Sequence, residues 1–569
     1  MTAGVLRIGS SGFSGNITVS AAINPTHVGA LSLITTSSGT ITQGGGDTIT
    51  VAGGIGGLAV QANTAVALTE QNDVGKLAAA ITGTGNNLSF TNAAGFTVST
   101  VDAVAGITTH TGGGEIFTLT AGGSVTQDTG ASIVSDNLLL LGAGGYALND
   151  TGNDVNTLAA SVTNAVGYTD ADDLTIGTVG STSGVTTNGH DINITASAVT
   201  GGASLTVSQA INTTSTANIT LTADRMSLAA AVNAHAGIVT LKPTTSGRAI
   251  DLGANSDTTH LGLLQTDLNN VTAGVLRVGD LGAGGSITVT AALTDVGTGW
   301  TTLSLLTDVG AGISQNSGAT LTVTNIQAAG NTGVTLNQNN VVSTLAGATE
   351  NGAFRFTDHT SLTVDNVDSG LGAGFGSGII TQGQTVSLTV NVLNDSLTVN
   401  QQIDTTHSFG SPASGGANIN LSADNMALNN NSPSSTINAG TNGILTLTPF
   451  TPTNTIAVGG ADAAGTLGID NNDLTNVTAK VVRIGSSAQT GAITVGGTIN
   501  THAGYNTLDL IATGANGAIT QTTGSISVTN LALQASSGIG SAGAIQVVGP
   551  INVAFRNVTS NNVRIASTG

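Results

Sequence analysis

The sequence predicts an all-β protein, a parallel β-helix in which short strands stack coil on coil. Three observations lead there. The composition is aliphatic and almost uncharged, the chain repeats itself at several scales, and its smallest repeating phrase alternates Ile, Leu or Val with Thr or Ser.

Of 569 residues, only 7% are charged and 2% aromatic, while glycine alone supplies 81. Ordinary globular chains carry roughly 25% charged residues. Hydrophobic residues reach 39%, so this is not the charge-rich, aliphatic-poor composition of a disordered chain. The 31 acidic and 11 basic residues leave a net charge of −20. An acidic surface repels phosphate, which argues against nucleic acid and anionic membrane surfaces as partners. Cysteine is absent, which excludes disulfides and thiolate metal sites. The apolar run from Leu138 to Leu141 closes on Gly142, far short of the ~18 apolar residues that suggest a membrane span. Residues 1–30 lack a basic stretch followed by an apolar core, so any export signal is expected to lie outside this sequence.

The largest repeat is the phrase TAGVLRIGSSG from Thr2, which returns as TAGVLRVGDLG from Thr272 and TAKVVRIGSSA from Thr478. Four further phrases follow each copy in the same order. GNITV, GSITV and GAITV end at Val19, Val289 and Val495. Leu31–Ile34 matches Leu303–Leu306 and Leu508–Ile511. Ile41-Thr42-Gln43 matches Ile313-Ser314-Gln315 and Ile519-Thr520-Gln521. DTITV, ATLTV and GSISV end at Val51, Val323 and Val528. A second block, ITLTADRMSL ending at Leu228, returns as INLSADNMAL ending at Leu428. Both copies lead to a junction, DLNNV to Val271 and DLTNV to Val477. A third block places Leu-Ala at Leu77, Leu158 and Leu345. The expected units are 1–271, 272–477 and a partial 478–569, forming one continuous solenoid. Met1 stands where Val271 and Val477 stand in the later copies, so the chain is expected to be a piece of a longer repeat array.

The period of two in GNITV, DTITV and SLTV puts aliphatics on one face and hydroxyls on the other, the mark of a half-buried strand. Turn residues separate these runs at intervals near those expected of many short strands. The seven prolines leave backbone donors free for ladders. Sandwich domains usually bury aromatic anchors, and this chain has one tryptophan, Trp300, and three tyrosines. The narrow interior of a β-helix suits the small aliphatics better. At ~20–25 residues per coil the chain makes roughly 25 coils. At ~4.8 Å per coil that is a rod on the order of 120 Å. NDVGKLAAAI from Asn72 is the best candidate for a helical turn, although Gly75 interrupts it.

The phrases LTADRMSL, DLNNVTAGVLRVG, GSITV and NDV-x-x-LAA resemble the repeat region of filamentous haemagglutinin-like exoproteins, the large passengers of bacterial two-partner secretion. The resemblance spans nearly the whole chain. It implies a right-handed parallel β-helix, export to the bacterial cell surface, and a role in adhesion or biofilm. The sequence contains neither the amino-terminal secretion domain of that family nor a distinct carboxy-terminal binding or toxin module, which favours an internal stalk.

Several residues could carry chemistry. Arg7, Arg277 and Arg483 recur in the opening phrase. A buried unpaired arginine is very costly, so Leu6 and Ile8 are placed inside and Arg7 at the surface. The arginines read as structural partners of a nearby acid such as Asp267 or Asp473, or as basic contacts for an acidic glycan. Asp224 and Asp424 recur in ADRM and ADNM and suit backbone turns. Asp170, Asp172 and Asp173 form a weak calcium candidate, without the glycine–aspartate nonapeptide of calcium-binding β-rolls. His27, His110, His190, His235, His260, His359, His407 and His502 are scattered, with no pair at helical ligand spacing. Gly538, Gly540 and Gly543 spell GxGxxG with no helix following, and Leu77 after Gly75-Lys76 is wrong for a phosphate loop. Thr48-Ile49-Thr50 and Thr320-Leu321-Thr322 are phrases that ice-binding solenoids array, but here they recur at irregular intervals.

The expectation is a non-enzymatic structural rod, without cofactor, forming a stalk segment of a surface adhesin. Its expected partners are adjacent β-helix segments of the same or a longer chain, with host or matrix glycans as further candidates. Two alternatives stand beside it. One is a self-associating subunit of a surface layer or biofilm matrix. The other is a carbohydrate-binding or carbohydrate-cleaving β-helix, which would need a unique carboxylate cluster.

Overall fold

A computed structural model describes residues 3–198, 201–282, 284–295, 297–307, 309–371, 375–409, 415–429, 435–559 and 561–568. Met1, and Thr2 that opens the first copy of the long phrase, lie outside the described residues. The protein is nearly all β, with 52% of residues in strands and 2% helical. The strands pair in parallel, in register, in the manner of a parallel β-helix. The chain divides into two compact units. One is Met1–Val278 with Thr298–Trp300, and the other is Gly279–Gly297 with Thr301–Gly569.

In the first unit, Ala3–Ser10 pairs with Val28–Thr35, which pairs with Gly57–Ala62, which pairs with Lys76–Ile81. The register keeps aliphatics in columns: Leu31 lies beside Leu58, and Leu58 beside Leu77, all at most 1% exposed. A second stack runs Val166, Ile192, Ile219, Val239, each completely buried. In the second unit a column runs Phe356, Leu388, Leu421, Leu447, Ile484, Leu510, Leu533 and Phe555. Alternate residues face out, and hydroxyl pairs bridge neighbouring rungs, as between Thr97 and Thr126 at 2.9 Å and between Thr494 and Thr520 at 3.1 Å. The alternation read from the sequence therefore sorts the two faces correctly. Parallel pairing of identical patterns puts like on like.

One local expectation is overturned. The NDVGKLAAAI stretch forms no helical turn; Lys76–Ile81 is a strand. Its backbone is needed by Gly57–Ala62 on one side, and by Phe96–Val98 and Ile107–Thr109 on the other. Alanine favours helix when nothing else decides, but here ladder pairing decides. The one α-helix among the described residues is the four-residue Gln265–Leu268.

Candidate functional site

Polar side chains inside an apolar coil are costly unless every donor and acceptor is matched. This protein buries the same matched network three times. In the first copy Gln43 donates to Asn72 Oδ1 at 2.6 Å and to the carbonyl of Asp47 at 2.9 Å. Asn72 Oδ1 also accepts the Ile49 N–H at 2.8 Å, and its amide donates to the carbonyls of Leu68 and Thr91. The second copy has Gln127 on Asn153 at 2.6 Å, and Asn153 on Ile133 N, Leu148 O and Thr169 O. The third has Gln315 on Asn340 at 2.7 Å, and Asn340 on Leu321 N, Leu336 O and Thr357 O. Asn72, Asn153 and Asn340 are all 0% exposed. One asparagine thus closes a corner within its own coil and ties it to the coils on either side.

The next rung of each ladder holds Asn92, Asp170 or Asp358. Asp170 accepts from Val155 N at 3.0 Å, Tyr168 Oη at 2.8 Å and Asp172 N at 3.1 Å. Asp358 accepts from Val342 N, Thr360 N and Thr360 Oγ1. Burial pushes both carboxyls up to about 7, against the pull of those donors.

After each ladder the chain leaves the stack as an antiparallel strap. The first pairs Thr100–Val101 with Val104–Ala105, the second Thr178–Val179 with Thr182–Ser183, and the third bridges Asn366 to Ser377. Each strap rises opposite an alanine of the Leu-Ala block. Leu77 pairs with Val98 and Ala79 with Ile107, so the strap leaves at Ala78. Ala159 and Ala346 hold the same place in the other copies. The straps then lie over small or aliphatic outer residues. Val101 packs on Ala30, Ala59 and Ala78, and Val179 packs on Leu139 and Ala159. Leu371 and Phe375 pack on Leu306, Ala329, Ala348 and Ile380.

Each strap returns through a glycine with positive φ: Gly106 at 66°, Gly184 at 74° and Gly378 at 68°. A side chain there would also lie 2.2, 2.0 and 2.2 Å from the carbonyl oxygens of Ser132, Ala210 and Gln402. Glycine is therefore required twice over, by conformation and by space.

The residues singled out in the sequence fall into this framework. At the tip of the first strap, Asp102 accepts from Arg7 Nε at 2.8 Å, and also from Arg7 Nη2 and Ser32 Oγ. Arg483 Nε donates instead to Asp509 on the adjacent rung at 3.0 Å. Arg277 lies on Val271–Gly279 beside Thr240. Asp267 and Asp473, offered as arginine partners, do something else. Asp267 accepts from Leu228 N and Leu264 N, and Asp473 from Leu428 N and Asp470 N. Each pins the end of the ADRM or ADNM strand to the following junction.

Asp224 accepts Thr245 N at 2.8 Å and Thr245 Oγ1 at 2.6 Å, with Arg248 Nη1 3.9 Å away. Asp424 repeats this with Thr451 N at 2.8 Å and Thr451 Oγ1 at 2.9 Å. Leu6 is half-buried and Ile8 37% exposed, whereas Leu276, Val278, Val482 and Ile484 at the matching places are completely buried. Of the calcium candidates, Asp170 faces its ladder, Asp172 is exposed, and Asp173 accepts from Ser204 N at 2.7 Å beside Arg225. Among the described residues no three His, Asp or Glu side chains gather as a metal site.

Sequence reasoning missed the glutamine–asparagine networks, although Ile-Thr-Gln and Asn-Asp-Val were both noticed as repeats. It also missed a carboxylate pair, Glu115 and Asp136, that holds the three glycines of His110–Glu115. Glu115 accepts Gly85 N at 2.6 Å and Gly113 N at 3.0 Å, while Asp136 accepts Gly112 N and Gly114 N. The Gly85 bond leads the backbone donors that hold Glu115 down to about 2.

The fold and these networks define a repetitive parallel β-helix protein whose recurring polar residues bind its own backbone. Comparison with protein-family models, curated proteins and solved structures finds no match for the chain.

Proposed function

We propose that this chain is a non-enzymatic structural segment, the stalk or shaft of a large haemagglutinin-like protein displayed outside a bacterial cell. One observation carries this reading. The same buried network, from Gln43, Gln127 and Gln315 to Asn72, Asn153 and Asn340, recurs with the same backbone partners. A catalytic constellation needs a particular set of groups at one place, whereas a scaffold needs the same joint many times. Asp224 and Asp424 fit the scaffold reading, since both carboxylates cap a threonine turn. Electron microscopy of the purified chain across a wide dilution range tests it. Isolated, stiff, extended particles at every dilution are expected. Compact globules or beads on a string would overturn the stalk, and long filaments would favour a polymer subunit instead.

A further inference from the structure

Four asparagines in this chain are followed directly by glycine: Asn188, Asn351, Asn442 and Asn516. The pair is chemically fragile. Asparagine is among the thermolabile residues, and a following glycine presents its backbone nitrogen with no Cβ to shield it. That nitrogen attacks the side-chain amide when nothing holds it elsewhere. All four asparagines are exposed, so access to water does not tell them apart. Their glycine N–H groups do.

Three of the four are engaged. Gly189 N–H donates to Thr213 O at 2.6 Å, Gly443 N–H to Ala439 O at 3.2 Å, and Gly517 N–H to Gly514 O at 3.0 Å. Two of these glycines are anchored again through their carbonyls. Lys480 N–H donates to Gly443 O at 2.9 Å, and Ser537 N–H to Gly517 O at 2.8 Å. Gly352 N–H has no acceptor among the described residues. It lies at the corner between Val334–Thr349 and Phe354–Asp358. Asn351 beside it is held. Its backbone N–H donates to Asn331 O at 2.7 Å, and its side-chain amide to Asn331 Oδ1 at 3.3 Å. The electrophile is fixed and the nucleophile is unbonded.

We propose that Asn351 is a self-modification site, the one Asn-Gly pair of the four that the folded chain leaves open to deamidation. Gly352 N loses its proton to water and attacks Asn351 Cγ. A C–N bond forms, the Cγ–Nδ2 bond breaks, and ammonia leaves a cyclic imide behind. Water then opens the ring at either carbonyl, giving aspartate or isoaspartate. The product changes the corner. Asn331 is 8% exposed; its Oδ1 takes Gly310 N at 3.0 Å as well as Asn351 Nδ2, and its Nδ2 donates to Glu350 at 2.7 Å. Deamidation replaces the Asn351 donor with a carboxylate, so two acceptors face each other beside Glu350. Isoaspartate also lengthens the main chain just before Gly352, where even a Cβ would collide with the Thr332 carbonyl. The neighbouring bond from Val334 N–H to Ala353 O, at 3.0 Å, should loosen. This inference stands apart from the stalk reading.

The test incubates the full chain at mildly alkaline pH and follows all four sites by proteolysis and mass spectrometry. Asn351 should deamidate about threefold to tenfold faster than the other three, the factor for breaking one backbone hydrogen bond. In denaturant the four should react at similar rates, which assigns the difference to the fold and not to flanking residues. Asn351→Gln should abolish the fastest phase. Asn351→Asp should speed hydrogen exchange at Val334 N–H without any incubation. The proposal fails if Asn351 reacts no faster than Asn188, Asn442 and Asn516 in the folded chain, or if the same ranking persists in denaturant. Aspartate without isoaspartate would overturn the cyclic route, since direct attack of water on the side-chain amide gives aspartate alone.

Discussion

Arg7 and Asp102 stand 95 residues apart in the chain, yet the guanidinium of one clasps the carboxylate of the other. The strap carries Asp102 back over the strands that begin at Gly57 and Val28 to reach the first. The same carboxylate accepts from Ser32, so one aspartate ties two rungs at once. The Arg7 guanidinium holds Asp102 below the ordinary carboxylate range.

Asp102→Ala removes that tie without touching the coils. The expected result is faster hydrogen exchange over residues 100–105 and at Ala79 N, which bonds Gly106 O at 2.9 Å. Ladder amides such as Ile49 N, bound to Asn72, should keep their protection. Equal loosening of both regions would show that the strap supports the whole stack.

The alanine under each strap is there for space. Ala78→Leu introduces a branched side chain where Val101 now lies. Overpacking of this kind costs about 1–3 kcal/mol. The strap should lift, and limited proteolysis should cut near Asp102 in the variant first. Gly184→Ala should act on the second strap by another route. Positive φ alone costs about 1–2 kcal/mol for an L-residue, and the Ala210 carbonyl adds a clash.

Asn153→Ala leaves the Ile133 N–H and the Gln127 side chain without their shared acceptor. Each buried group stranded in this way costs about 1–3 kcal/mol. Exchange at Ile133 should accelerate sharply, and Asn340→Ala should do the same at Leu321. If the two variants differed greatly, the three networks would not be equivalent joints.

Buried carboxylates give the fold a pH dependence. Asp170 and Asp358 sit at about 7 and Asp473 at about 6, each raised by burial from 3.8. The folded chain therefore binds these protons more tightly than the unfolded chain. Their contribution is complete below about pH 3.8 and is lost as pH rises through 6 to 7. The change is on the order of a few kcal/mol per group. Asp170→Asn with Asp358→Asn should flatten that loss, since Asn92 already fills the same rung in the first ladder. Glu115, held down to about 2, acts in the opposite sense and is lost only as pH falls below 4.5. Local exchange rates measured from pH 4 to 8 check the sign for the aspartates, and rates from pH 5 down to 2 check it for Glu115.

Much of this was legible in the sequence, for a physical reason. Period-two alternation decides which face of a strand is buried, whatever its neighbours are. Like-on-like stacking then follows from repetition, so the columns through Leu31 and Val166 could be anticipated. The Leu-Ala block at Leu77, Leu158 and Leu345 was equally visible as a repeat. Its purpose was not, because an alanine's role depends on what lies above it.

The sequence by itself determined strand, face and repeat, which rest on interactions between near neighbours along the chain. Only the tertiary structure decided the long-range partners. Asp102 rather than Asp267 meets an arginine because a strap folds back across the sheet. Lys76–Ile81 runs as strand because the rungs on both sides claim its backbone. Gln43 and Asn72 form a joint because the solenoid brings a corner of one coil against the next, at a distance no periodicity records.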